Sequence, residues 1–167
     1  KASYQIRNTQ AEETQLQMLS SLELSLDDHW ELKEAAEKHS LIFLSSPFDE
    51  ESADLLEQLN LPTYKIPSGE ITNLPYLRHI AQKGKPLIVS TGMAYLGEVE
   101  KAVQTIQEAA GVRIALLHCI SDYPSDPKDV NLRAMDTLRQ AFEVPVGFSD
   151  HTIGIAVPIA AVARGAC

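Results

Sequence analysis

Cysteine is scarce: the chain carries two, Cys119 and Cys167, with neither a CxxC pair nor zinc-ribbon spacing. That excludes a disulfide framework and a structural zinc ribbon. A free cysteine ordinarily behaves as a small buried hydrophobe, so both are expected to be structural or incidental. Runs of basic residues are missing too, and the formal charge is -9. Nucleic acid, polyanions and membrane surfaces are thereby argued against as partners, and an anionic substrate would need locally placed cations. No stretch approaches the ~18 consecutive apolar residues of a membrane span. The start, Lys1-Ala-Ser-Tyr, lacks the apolar centre of a signal peptide, so a cytoplasmic location is expected. What is present is ordinary globular composition, 44% hydrophobic and 22% charged, with length for one sizeable core.

Five short apolar runs each end in a polar cluster: Leu41-Ile-Phe-Leu-Ser-Ser-Pro, Tyr64-Lys-Ile-Pro-Ser-Gly-Glu, Leu87-Ile-Val-Ser-Thr-Gly-Met, Ala115-Leu-Leu-His-Cys-Ile-Ser-Asp-Tyr-Pro and Val144-Pro-Val-Gly-Phe-Ser-Asp-His. Short apolar runs bounded by turn residues predict strands buried on both faces. The strands are expected at 41–44, 64–66, 87–90, 114–118 and 144–148. Helical patterns fall between them, which makes the sheet parallel. They cover 26–39, 50–59, 74–82, 97–110, 131–142 and 155–163, with a further helix at 11–22. Ser25 and Asp28 have capping-box spacing at the start of the second helical segment, and Gly111 closes the one at 97–110. In such a sheet, ligands bind at the carboxyl ends of the strands, where the polar clusters lie.

The strand starts at 41, 64, 87, 114 and 144 recur near the ~31 residues per unit of an eight-unit barrel of ~250 residues. A five-stranded doubly wound sheet would also suit the length, but it needs polar residues mainly around one switch point, whereas here all five strands are tipped. The expected fold class is therefore α/β, an incomplete (β/α)8 TIM barrel with about five central units, strands 3 to 7. Residues 1–24 are expected to be a connecting segment and 25–167 the partial barrel. The missing initiator Met and the stop at Arg164-Gly-Ala-Cys look like cut ends.

Lys65 lies inside an apolar strand, where a lysine must be paired or face a polar cavity. It can be a cation for phosphate or carboxylate, a Schiff-base lysine, or an edge residue with its amine in solvent. Ser68, Gly69 and Glu70 follow at once. Ser45, Ser46, Ser90, Thr91 and Ser149 add hydroxyls at strand ends, able to cradle an anion together or to cap helices singly. Ser149-Asp150-His151 sets a carboxylate and an imidazole side by side, for metal ligation or acid–base work, or as an ordinary hydrogen-bonded histidine. Tyr123 can bond a ligand or pack its loop. His118 is expected to make a structural hydrogen bond, and His29, His39 and His79 to face solvent.

Taken in order from about Ser25 to Ala166, the motifs Lys65-Ile-Pro-Ser-Gly-Glu-Ile-Thr-Asn, Ser90-Thr-Gly-Met, Leu116-Leu-His-Cys with Tyr123-Pro124, Asp129-Val-Asn-Leu-Arg and Gly147-Phe-Ser-Asp-His-Thr-Ile-Gly resemble the sialic acid synthase family, including legionaminic and pseudaminic acid synthases. The resemblance implies condensation of phosphoenolpyruvate with an N-acetylated hexose aldehyde, typically N-acetylmannosamine, to a nine-carbon sugar acid and phosphate. It makes Lys65, Ser68, Ser46, Ser90, Ser149 and Tyr123 phosphoenolpyruvate-binding residues and turns Glu70 toward the sugar. His151 becomes one of two histidine ligands to Mn2+ or Mg2+, which polarises the aldehyde. Lys65 then acts by electrostatics rather than as a Schiff base. The family's C-terminal antifreeze-like domain, remaining barrel strands and second metal histidine are absent, so the chain is expected to be inactive alone and the full-length protein a homodimer. A class I aldolase using Lys65 and a non-catalytic phosphate-binding module are the alternatives.

Overall fold

The structure, a computed structural model, describes residues 5–6 and 14–167. Residues 5 and 6 are helical, and two helices follow from Gln15. Helix α1, Gln15–Ser20, begins with a capping box between Thr14 and Gln17. Residues 11–13 of the expected 11–22 helix lie outside the described residues. Helix α2, Leu26–Lys38, starts at Ser25, whose hydroxyl accepts the Asp28 N–H while the Asp28 carboxylate accepts the Ser25 N–H. No α2 residue is fully buried; Leu26 packs against the core and the His29 ring meets Phe43, so this helix leans heavily on its cap and on pairs such as Lys33 with Glu37. Ser25→Ala should therefore cost α2 about 1 kcal/mol, read as a roughly five-fold faster amide hydrogen exchange along it.

The rest alternates: α3 Glu50–Gln58, β1 Tyr64–Ile66, α4 Leu74–Gln82, β2 Leu87–Ser90, α5 Leu96–Ala110, β3 Ile114–Cys119, α6 Ala134–Phe142, β4 Val146–Ser149 and α7 Ala156–Ala163, with 3-10 turns at Ser68–Glu70 and Pro127–Asp129. Gly111 ends α5 in the left-handed conformation, φ 60°, as helix closure by glycine requires. The sheet is parallel throughout, in the order β1-β2-β3-β4. That order is monotonic, so these four strands contain no switch point.

Strand parity divides the sheet into two unlike faces. Tyr64, Ile66, Leu87, Val89, Ile114, Leu116 and Val146 are buried and join Leu56, Leu77, Ile80, Val99, Ile106, Met135 and Leu138 of the helices in one core. The opposite face carries Lys65, Ile88, Ser90, Ala115, Leu117, Cys119, Gly147 and Ser149. Registers Lys65↔Ile88, Ser90↔Leu117 and Cys119↔Ser149 align these side chains across the sheet. Ile88, Ala115 and Leu117 are only half-buried, and no residue of this face joins the helix-packed cluster, although Ser90 and Cys119 are themselves buried.

Three expectations are corrected. Residues 41–44 form no strand: four strands, not five, are present among the described residues. The run makes no ladder with β1, and Leu41 and Ile42 are 64% and 74% exposed, because an apolar run becomes a strand only where an edge pairs with it. The helix expected from Asn131 begins at Ala134, since Asn131 takes φ 45°, outside the helical region. The last strand begins at Val146 rather than Val144 because Pro145 has no N–H for a ladder and contributes only its carbonyl, to Leu116.

Candidate active site

A cleft of about 370 Å³ opens at the carboxyl ends of the strands. It is lined by Ser46, Phe48, Lys65, Pro67, Ser68, Gly69, Ser90, Met93, Cys119, Ser121, Tyr123, Ser149 and His151. Seven of the eight site residues expected from sequence are thus brought together. Glu70 is the exception: it lies outside the lining, and its carboxylate accepts a hydrogen bond from Asn73. A larger groove of about 640 Å³ lies beside α1 and α2, but it is leucine-rich and its charged carboxylates, Glu23 and Asp49, have the wrong sign for an anion.

Lys65 reaches the cleft because β1 alternates, with Tyr64 and Ile66 turned into the core and Lys65 away from it. Burial pushes its ammonium below the ordinary lysine range, with the Cys119 sulfur opposing the shift. No carboxylate pairs with it among the described residues. Beside it, Ser90 is 1% exposed and its hydroxyl has no hydrogen-bond partner among the described residues. A buried hydroxyl left unpaired costs about 1–3 kcal/mol, and here it borders a cleft that can supply an acceptor.

Ser68 stands at the start of the 3-10 turn after β1. Its hydroxyl accepts the Gly92 N–H at 3.0 Å and lies 3.2 Å from Cys119 Sγ. Gly92 is required by crowding: a Cβ there would stand 2.5 Å from Ser121 Oγ and 2.9 Å from Ser68 Oγ. The segment bearing Ser46 is anchored by the buried Tyr76 hydroxyl, which donates to the Pro47 carbonyl at 2.8 Å. Burial raises the Tyr76 pKa, keeping that donor protonated.

His151 Nδ1 lies 2.6 Å from the Ile120 carbonyl, which assigns a ring proton to Nδ1 and makes Nε2 the nitrogen able to offer a lone pair. Ser149 Oγ is 3.5 Å from that Nε2, and the Tyr123 ring packs at 4.3 Å between centroids. Asp150 does not share the cleft; its carboxylate accepts from Thr152 N–H and Oγ1. One imidazole therefore offers a metal donor, but no group of three His, Cys, Asp or Glu side chains converges among the described residues. The described residues do not by themselves complete a metal site. His118 points the other way, donating to the Val130 carbonyl at 2.6 Å in the structural role expected of it. Sequence reading missed Phe48, Met93 and Ser121 as lining and took Cys119 as structural or incidental. Strand parity was the available signal for Cys119, two residues beyond Leu117 on the face of Lys65 and Ser90.

A parallel sheet with a polar, cationic cleft at its strand ends defines an α/β protein of the kind that binds ligands at that end of the sheet. The chain belongs to the NeuB family, whose profile matches residues 1–167. N,N'-diacetyllegionaminic acid synthase of Campylobacter jejuni is 53% identical over 169 residues, covering 100% of this chain and 51% of the relative. Human N-acetylneuraminate-9-phosphate synthase is 40% identical over 146 residues, 87% of this chain and 40% of the relative. The solved N-acetylneuraminic acid synthetase of Leptospira borgpetersenii, in complex with citrate, superposes with a TM-score of 0.82 at 36% identity, over 86% of this chain and 50% of that one. The chain spans about half the length of the curated relatives it matches. No helix among the described residues is long and apolar enough to cross a membrane.

Proposed function

We propose that this chain is part of the barrel wall of a phosphoenolpyruvate-dependent sugar acid synthase, which condenses phosphoenolpyruvate with an N-acetylated hexose aldehyde and releases phosphate. The observation that carries the reading is the half-buried Lys65 ammonium beside the buried Ser90 hydroxyl, neither with a partner among the described residues. The monotonic strand order and the single helix-covered face support the barrel. Residues 25–167 are its wall, and residues 1–24 lead into it.

In this reading Lys65 neutralises the anionic groups of phosphoenolpyruvate, and Ser46, Ser68, Ser90 and Ser149 donate hydrogen bonds to its oxygens. Ser68 is held by the Gly92 N–H before the ligand arrives, and the buried Ser90 hydroxyl, unpartnered among the described residues, has only to turn to it, so little reorganisation is needed. Carbon 3 of phosphoenolpyruvate attacks the aldehyde carbon, and the electron pair comes from its double bond. Water then adds at the cationic C2, and phosphate leaves with cleavage of its C–O bond. Tyr123 packs against His151 and fixes the imidazole, and Glu70 stands outside the cleft, where a sugar extending beyond it could be met. A divalent ion, Mn2+ or Mg2+, would supply electrophilic polarisation of the aldehyde. His151 Nε2 is the donor this chain offers to it. The full-length protein is proposed to be cytoplasmic and homodimeric.

The lowered Lys65 pKa also favours a nucleophilic amine, so a Schiff-base aldolase is the second reading. The test is phosphate release by the full-length protein with phosphoenolpyruvate, manganese and either N-acetylmannosamine or a diacetamido sugar, the latter because the Campylobacter relative is named for a diacetylated acid. Release is expected with at least one sugar, and borohydride treatment in the presence of substrate should leave Lys65 unmodified. A trapped Lys65 adduct replaces the synthase reading by the aldolase. Binding without release for every N-acetyl sugar leaves a phosphate-binding module.

A further inference from the structure

We propose that Phe48 and Met93 form an apolar clamp at the mouth of the cleft that reads the acyl group of the second substrate. This rests on the synthase reading and names a specificity element within it. The lining changes character with depth. Lys65, Ser68, Ser90 and Ser149 are half-buried or buried, whereas Phe48 and Met93 are 61% and 74% exposed. Neither Phe48 nor Met93 belongs to the hydrophobic core, so packing among the described residues accounts for neither exposed side chain.

Met93 is also held at φ 64°. The other non-glycine residues with positive φ among the described residues are Ser40, Asn60, Asn131 and Glu143, all polar. Ser40, Asn60 and Glu143 stand just past the ends of α2, α3 and α6, where the left-handed conformation closes a helix. Met93 closes none. It follows β2 in the loop to α5, where glycine would carry this backbone without the cost that a Cβ imposes. A long apolar side chain kept in that conformation, exposed over a polar cleft, points to a contact with something that enters the cleft. Once an anion occupies the polar floor, the part of an N-acylated sugar that gains from apolar surface is its acyl methyl group. Methionine is suited to it, being unbranched and polarisable, and Phe48 supplies a flat second surface.

The test uses the full-length protein with phosphoenolpyruvate and mannosamine carrying an acetyl group, a propanoyl group or none. Met93→Gly should raise KM for the acetylated sugar by about 10-fold and reduce the preference for acylated over unacylated sugar by a similar factor. KM for phosphoenolpyruvate should stay within two-fold, and Tm should stay level or rise because the backbone strain is released. Phe48→Ala should shift the sugar preference in the same direction. A lower Tm in Met93→Gly, which would mean that Met93 packs against another part of the protein, overturns the clamp. Parallel losses for both substrates or an unchanged acyl preference overturn it too. Wild-type turnover with unaltered acyl discrimination sinks the clamp alone, whereas no phosphate release from any N-acyl sugar sinks the synthase reading and the clamp with it.

Discussion

Lys65→Ala in the full-length protein is expected to lower kcat/KM for phosphoenolpyruvate by roughly 10³-fold while leaving Tm level or slightly higher. The asymmetry follows from the unliganded cleft. Lys65 has no carboxylate partner among the described residues, so its removal strands no buried counter-charge. What disappears is a half-buried charge whose desolvation the empty protein bears alone. The liganded state loses two charge-assisted hydrogen bonds of about 1.5–3 kcal/mol each, together near the ~4 kcal/mol that corresponds to a thousand-fold loss. Lys65→Arg should fall between, since it keeps the charge but replaces a compact ammonium by a planar fork. Initial rates of phosphate release and a thermal melt decide it, and a loss under ten-fold would remove Lys65 from the anion site.

The pH dependence has a definite sign. Burial lowers the folded-state pKa of Lys65 below its unfolded value. Between the two, the unfolded chain binds more protons, so stability rises with pH through that window, and below the folded pKa the full cost of the buried ammonium is carried. Activity runs oppositely, because the anion needs the protonated form. The alkaline limb of kcat/KM should therefore lie below the ordinary lysine range, and Lys65→Ala should abolish it. A bound anion favours the ammonium, so the corresponding limb of kcat should sit at higher pH.

Much of this was legible in the sequence because period and punctuation agreed. Tyr64–Ile66 and Leu87–Ser90 were read to the residue, each an apolar run closed by hydroxyls and glycine, and α4 between Asn73 and Lys83 likewise. The failures are physical. Leu41-Ile-Phe-Leu has the composition of a strand, but pairing belongs to an edge elsewhere in the chain and leaves no mark in the run itself. Among the site residues, Lys65 was conspicuous as a charge where charge is costly. Cys119 was not conspicuous, because a thiol is at home in a core; only its parity with Lys65 and Ser90 sets it on the cleft face. Met93 carries no sequence signal for its left-handed backbone, which polar residues or glycine would have announced. Asp150 misled by adjacency: neighbours along a chain need not share a site, and its carboxylate is taken by Thr152.

Gly92→Ala should be the second severe substitution, raising KM for phosphoenolpyruvate about 100-fold and costing about 1–3 kcal/mol of stability, as overpacking does. Its Cβ would lie 2.5 Å from Ser121 Oγ, 2.9 Å from Ser68 Oγ and 3.0 Å from Cys119 Sγ. The two hydroxyls can rotate away, but Cys119 sits in β3, paired with Ser149, and yields less. The loss therefore falls on the cleft more than on the fold. Ser68 must leave the Gly92 N–H that holds it, and the anion loses a fixed donor. Gly97→Ala, in the first turn of α5 with open space around it, is the control and should leave the phosphoenolpyruvate KM unchanged. Ser68→Ala tests the route: combined with Gly92→Ala it removes the 2.9 Å neighbour, so the double variant should regain part of the lost stability while its KM stays as poor as that of the Gly92→Ala single variant. Additive losses in KM would mean that Gly92 serves the cleft through something other than Ser68.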